Sequence, residues 1–279
     1  MIAVLGGLGA AVCWAGASLC AAGASRLIGA AAVLGWVMLV GFVVVAPLTV
    51  ASGIPHGLGA REIGWIAAAG AGNVAGLLCS YEAMRIGRVS LVTPILSTEG
   101  AIAAVLAVTT GETLGAGTAL LLAAVAAGVV LASSTASIET GQPLRATLLA
   151  CGAAACFGLS LFATARVSEA LPLVWALIPA RLVGVAVITL PSLATGRLRL
   201  TRAAAPLVVV SGLCEVGGFA SFALGARHGI AVAAVLGSQF AAIAAVAAFF
   251  LFRERLRPLQ VAGVVTIAVC VAALSALRA

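Results

Sequence analysis

Lysine and aspartate are missing from the 279 residues altogether, and charged side chains of any kind make up only 8% of the chain. A soluble domain carries about a quarter of its residues as charges, so a water-wetted globule is excluded. Histidine occurs twice, as His56 and His228, both in breaks between apolar runs or at their ends. No Gly-x-Ser-x-Gly elbow, His-Glu-x-x-His helix or nucleotide-phosphate loop is present. Catalysis needs a base beside a nucleophile, and an intramembrane enzyme is therefore the weaker alternative. Without a nucleotide loop, any energy coupling must come from an ion gradient. The seven cysteines, Cys13, Cys20, Cys79, Cys151, Cys156, Cys214 and Cys270, form no Cys-x-x-Cys pair. They read as small buried hydrophobes, and neither a metal site nor a cofactor is expected.

What is abundant is apolar length. Hydrophobic residues make up 63% of the chain, gathered into runs that match the roughly 20 residues a helix needs to cross about 30 Å of hydrocarbon. Breaking the chain at charges, Gly, Pro and Ser clusters predicts spans near 3–24, 29–50, 62–83, 89–109, 115–134, 145–165, 171–193, 204–226, 229–251 and 258–277. The fold class is thus all-α, a polytopic membrane protein of ten transmembrane helices. The first run has nothing basic before it and passes into the second within a few residues, so it reads as a retained helix. The net charge of +7 rests on 15 Arg against 8 Glu, with the Arg at run ends, where they meet lipid headgroups. The bilayer, not nucleic acid, is the expected partner.

The two halves repeat. An offset of 141 aligns Gly76 with Gly217, Ser80 with Ser221, Tyr81 with Phe222 and Ser97 with Ser238, and superposes Ala101–Val105 on Ala242–Val246. One inserted residue later Glu112 and Leu114 meet Glu254 and Leu256; near an offset of 144 Pro47 meets Pro191. Repeats of residues 1–138 and 139–279 hold five spans each. Five is odd, so the second copy enters the membrane from the opposite side, a 5+5 inverted-topology repeat. Such repeats suit alternating access; a duplicated scaffold is the structural alternative.

Ten spans as five plus five, an aromatic and a Gly in the first span of each half (Trp14 and Gly16; Phe157 and Gly158), and a Glu-x-Leu step before each last span (Gly111 to Leu114; Arg253 to Leu256) resemble the EamA branch of the drug/metabolite transporter superfamily. The resemblance implies a secondary transporter of a small metabolite or drug-like solute. Its cavity would lie among spans one to four and six to nine, in a bacterial cell (inner) membrane. The basic start common in that family is missing, and Leu121 stands where the second half has Gly263.

Independently of the family, Glu99, Arg181 and Glu215 fall at the centres of spans four, seven and eight. Each costs about 2.5–3.5 kcal/mol on insertion scales, so all three should face a wet interior or one another. They form either a substrate or proton site or an ion pair that locks packing. Two Glu and one Arg leave one carboxylate over, and low dielectric favours the neutral form of such a group, which suits proton coupling or amine binding. Asn73 and Gln239 near span centres, and the matched Ser97 and Ser238, either line a cavity or bridge helices. Trp14 lies at mid-depth and reads as cavity wall, whereas Trp36, Trp65, Trp175 and Tyr81 lie nearer the ends, as interfacial anchors do. Pro94 and Pro179 each precede a midplane charge and are expected to kink their helices toward the cavity. Odd-numbered connections carry ten Arg and the opposite side four, which by the positive-inside rule puts the termini outside; the family resemblance implies cytoplasmic termini. Substrate identity, direction and assembly into a homodimer stay open.

Overall fold

The computed structural model describes residues 1–56, 58–86, 95–133, 143–240, 242–243 and 258–277. Of the features named above, Arg88, Pro94, residues 244–246, the step from Arg253 to Leu256, Arg257 and Arg278 lie outside them, as do the side chains of Tyr81 and Arg85. Among the described residues all regular structure is helical, in short pieces such as 95–96 and 242–243 and in the helices whose bounds follow. These are α1 (Ile2–Ile28), α2 (Ala30–Ser52), α3 (Ala60–Ile86), α4 (Glu99–Thr109), α5 (Ala116–Ser133), α6 (Pro143–Ala170), α7 (Leu173–Ala194), α8 (Ala204–Ala226), α9 (Ile230–Gly237) and α10 (Pro258–Leu277). Six of them, α1, α2, α3, α6, α7 and α8, are long and apolar enough to cross a bilayer, and α4, α5 and part of α10 are shorter apolar helices. This is a polytopic helical membrane protein.

The helical state follows from the medium. In hydrocarbon no water pairs with a free N–H or C=O, so each segment must satisfy its own backbone. The outer surface is correspondingly apolar, with Leu5, Val12, Val43, Leu120, Leu148 and Leu213 exposed. Direction changes at glycine: Gly29, at φ 85°, turns α1 into α2 in one residue, a conformation that side chains bearing a Cβ rarely adopt.

Lipid tails are as apolar as leucine, so helices associate in a bilayer through close backbone approach and interhelical hydrogen bonds. Both are seen. The broadest pairings are α1 with α8 and α3 with α6, followed by α5 with α10, α2 with α7 and α4 with α9. At the α1–α8 crossing Gly6 faces Gly225; at α3–α6 Gly72 faces the Cys156 carbonyl; at α4–α9 Gly100 faces the Ala234 carbonyl; at α5–α10 Gly128 faces the Gly263 carbonyl. Hydroxyls tie the same pairs: Ser211 donates to the Ala17 carbonyl at 3.0 Å and Ser160 to the Ala69 carbonyl at 2.7 Å. Thr189 likewise ties α7 to the Gly35 carbonyl of α2 at 2.9 Å.

The helices are interrupted where the sequence reading did not place a break. Ser97 and Thr98 form a turn just before α4, and Ser238 and Gln239 form one just after α9. The Thr98 amide donates to Ile95 and the Gln239 amide to Leu236, a three-residue step in each case. In α7 the kink expected at Pro179 does not open onto the cavity: Pro179 lines no part of it, and its carbonyl packs against Gly70 of α3. The irregularity lies further along, in a π-helical turn over Val185–Thr189 whose wide bond runs from the Leu190 amide to the Val185 carbonyl. It immediately precedes Pro191, which has no N–H to continue the α-helical ladder. The cysteines also depart from expectation: Cys270 is buried, Cys151 is exposed and the other five are intermediate. In a bundle bathed by lipid, a small apolar side chain loses little by facing outward.

Gly100 provides the sharpest test of packing by close approach. A Cβ there would overlap the Ala234 carbonyl and the Ser238 hydroxyl, whereas one at Gly117 meets nothing within 4 Å. Gly100→Ala should lower the melting temperature of the detergent-solubilised protein by an amount corresponding to about 1–3 kcal/mol, and Gly117→Ala should leave it unchanged. Equal melting of the two variants would contradict this packing.

Candidate functional site

A cavity of about 870 Å³ opens between α1, α2, α3, α6 and α8. Its wall is built by helical periodicity. From α1 come Trp14, Ala17, Ser18, Ala21 and Ser25, from α3 Asn73, Leu77 and Ser80, and from α8 Ser211, Glu215 and Phe219, each set falling on one helix face. Phe157, Leu161 and Phe240 close the floor near mid-depth. At the other end the wall runs out to Ala30 and Ala31, which are exposed, and to Glu82. These stand where α1 meets α2 and where α3 ends, so the mouth lies on the side of the first and third connections.

The opposite side is sealed by polar ties. Arg227, at the end of α8, donates to the Ser168 carbonyl at 2.5 Å and to the Leu171 carbonyl at 3.0 Å. Arg166 donates to Thr110 at 2.8 Å and pairs with Glu169 at 3.1 Å while lying over the Phe162 ring. The Glu112 carboxylate accepts from the Ile230 and Ala231 amides at 3.1 and 3.2 Å, capping the first turn of α9, where orphan N–H groups and the helix dipole both favour an anion. Trp175 donates to the Ser52 hydroxyl at 3.2 Å.

Four of the residues expected at a site, Trp14, Asn73, Glu99 and Glu215, line the cavity. Arg181 stands behind Glu215, 1% exposed, with Nη2 3.5 Å from Glu215 Oε2 and its guanidinium carbon 5.2 Å from the Phe219 ring centroid. Nη1 lies 3.9 Å from Met38 Sδ, and Nε has no partner. The room for this side chain comes from Gly41 of α2, where a Cβ would sit 2.8 Å from Arg181 Cδ and Nε. Glu99, 7% exposed, makes no ion pair or side-chain hydrogen bond among the described residues. Its helix begins at the turn after Ser97 and Thr98, so the carboxylate sits in the first turn of α4, where the dipole favours negative charge.

Ser97, Ser238 and Gln239 are buried but line no part of the cavity. Ser238 donates to Val235 at 2.9 Å and packs on Gly100, a helix-bridging position. Trp14 meets Phe219 edge-on at 5.2 Å and Phe240 at 6.5 Å, and its indole N–H is turned against Gly218. Sequence reasoning missed Phe219, Ser211, Gly41 and Phe240. For the first two a signal existed, since Ser211, Glu215 and Phe219 fall at i, i+4 and i+8 on one helix; for Gly41 and Phe240, only tertiary packing reveals the role. Trp36, read as an interfacial anchor, donates to the Arg199 carbonyl at 3.0 Å.

Residues 1–134 match the model of the EamA-like transporter family, part of the drug/metabolite transporter superfamily. The matched stretch is similar to EamA-like transporters. Members of the EamA-like family are membrane transporters rather than enzymes. Among curated proteins nothing matches. Twenty-one chains of solved structures do. One, titled only as the crystal structure of a protein, covers 99% of this chain and 97% of its own at a TM-score of 0.79, with 17% identity. At that identity the likeness shows the fold alone, and it shows it across both halves, beyond the stretch that the EamA-like match spans.

The buried pair yields a prediction. Removing one partner leaves the other charge desolvated and unpaired, at a cost of about 3–5 kcal/mol. Arg181→Met alone should lower the yield of folded, monodisperse protein sharply, and Arg181→Met combined with Glu215→Gln should recover much of it. A double variant as poor as the sum of the two single variants, read by size-exclusion yield and thermal melting, would contradict coupling through this pair.

Proposed function

We propose that this EamA-like protein is a secondary transporter that moves a small solute by alternating access between two five-helix repeats, residues 1–138 and 139–279. The observation that carries the reading is a membrane-embedded cavity with its mouth on one side, sealed on the other, holding an unpaired carboxylate at mid-depth. A scaffold protein has no use for such a wet, charged cavity. An enzyme would need a base beside a nucleophile, which the wall does not offer among the described residues.

The inverted repeat is supported by how the helices pair. Exchanging the halves turns the α1–α8 pairing into α6–α3, α1–α9 into α6–α4 and α2–α8 into α7–α3, and all of these pairings occur. The hydroxyl ties exchange as well. Ser160 aligns with Ala17 at an offset of 143 and Ser211 with Ala69 at 142, so the two ties occupy equivalent places with the donor on opposite members. The turns at Ser97–Thr98 and Ser238–Gln239 match at 141. Rocking one half against the other would move the mouth from one face to the other around Glu99 and the Arg181–Glu215 pair.

In this mechanism Glu215 stays paired with Arg181, holding the walls together, while Glu99 gains and loses a proton as the halves rock. The site is then Glu99, Asn73 and Trp14 on the wall, Glu215 with Arg181 behind it, and Ser97, Ser238 and Gln239 at the α4–α9 breaks. By the Arg count the mouth faces the cytoplasm of a bacterial cell, with both termini outside.

Glu99→Gln mimics the protonated carboxyl. In proteoliposomes the variant, still folded and inserted, should lose accumulation driven by a pH gradient. Accumulation at the wild-type level would remove Glu99 from the coupling mechanism, and a wild-type protein that moves no solute from a broad metabolite mixture would overturn transport itself. The orientation is tested separately: a C-terminal reporter that works only in the cytoplasm should be silent, and an active one would reverse it.

A further inference from the structure

Resting on the reading of this cavity as a substrate site, we infer that the solute is a monovalent organic ammonium ion with an apolar, aromatic-sized body. Charge points to this first. The charged side chains on the wall, among the described residues, are Glu82, Glu99 and Glu215, with no basic residue facing the cavity. Arg181 neutralises Glu215, and at the mouth Arg145 stands 3.9 Å from Glu82. One negative charge is left over, on Glu99 at mid-depth, and a carboxylate in low dielectric calls for a single compensating cation or proton.

Hydrogen bonding points the same way. Ser80, Ser160 and Ser211 each donate their one hydroxyl proton to a backbone carbonyl, so only acceptor lone pairs remain on these oxygens. Carboxylates are acceptors too. The Trp14 indole N–H, a donor, is turned against Gly218 rather than into the cavity. The serine and carboxylate oxygens of the deep wall thus offer acceptors, which the N–H groups of an ammonium would satisfy, and the Asn73 amide supplies the N–H donors there. Asn73, 6% exposed, lines the same space without a hydrogen bond from any described residue, and its amide oxygen is unsatisfied.

The rest of the wall is apolar and aromatic. Trp14, Phe157, Phe219 and Phe240 surround the floor near Glu99, and ring faces attract cations as well as hydrocarbon. A volume of about 870 Å³ falls in the range of drug-sized pockets, about 300–1,000 Å³. It exceeds what an inorganic cation needs.

The test uses the full-length protein in detergent and three probes of one size: phenethylammonium, 2-phenylethanol and phenylacetate. Calorimetric titration near neutral pH should show phenethylammonium binding at least tenfold more tightly than either of the others. In Glu99→Gln the preference over the alcohol should fall to about unity, and in Glu99→Asp it should persist at reduced affinity. Wild-type protein that binds the alcohol or the carboxylate as well as the ammonium overturns the inference, whatever the variants do. So does a folded Glu99→Gln variant that keeps the preference. Protein that binds phenethylammonium through Glu99 yet moves no solute across vesicles would contradict transport and leave the ligand class standing. Protein that transports solutes without the ammonium preference would do the reverse.

Discussion

Helices immersed in lipid gain nothing by hiding apolar side chains from one another, so this bundle depends on how closely its backbones can approach. At crossing after crossing the contact is a glycine set against a carbonyl or a second glycine. That closeness has a consequence for the cavity. Where glycine brings α1 to α8 and α3 to α6, the two pairs become tight units, and the space left between the units is where large side chains such as Trp14 and Phe157 project. Trp14 packs on Gly218 and Phe157 on Gly76, so each aromatic is seated by a glycine of the partner helix.

In the proposed repeat the scaffold positions match between the halves, but the charges do not. The offset of 141 that pairs Ser97 with Ser238 takes Glu99 to Phe240 and carries Glu215 back to Val74. Glu99 and Phe240 both line the cavity, so one repeat presents a carboxylate where the other presents a ring. On that proposed repeat, the asymmetry lets the two halves hold one ion pair and one unpaired acid without forcing the acids into equivalent roles. Arg181 belongs to one half alone, and it fits only because α2 of the other half offers Gly41.

The spans of the long helices could be read from the sequence because hydrocarbon thickness sets their length and leaves few alternatives to a helix. Glu99, Arg181 and Glu215 were legible for a related reason: a charge in the middle of an apolar run is costly enough to need a purpose. Which carboxylate Arg181 would choose was not legible, since it depends on how α7 and α8 are rotated against each other. The turns at Ser97 and Ser238 were hidden inside apolar runs with ordinary helix formers on either side, though the matched serines marked the places. Pro179 misled because the missing N–H of a proline states that a bond is lost, not which side of the helix faces the cavity; Pro179 lines no part of it, and the π turn before Pro191 is the irregularity that reaches the cavity through Ile188.

The central claim is that the two midplane carboxylates are inequivalent, Glu215 held by Arg181 and Glu99 left to respond to proton and ligand. Infrared difference spectra of protein labelled with carbon-13 in its glutamate carboxyl groups, recorded as phenethylammonium is added or pH is changed, read this directly. A carboxyl band that responds to both and is lost in Glu99→Gln is the expected result. A responding band that survives in Glu99→Gln and vanishes in Glu215→Gln would contradict it.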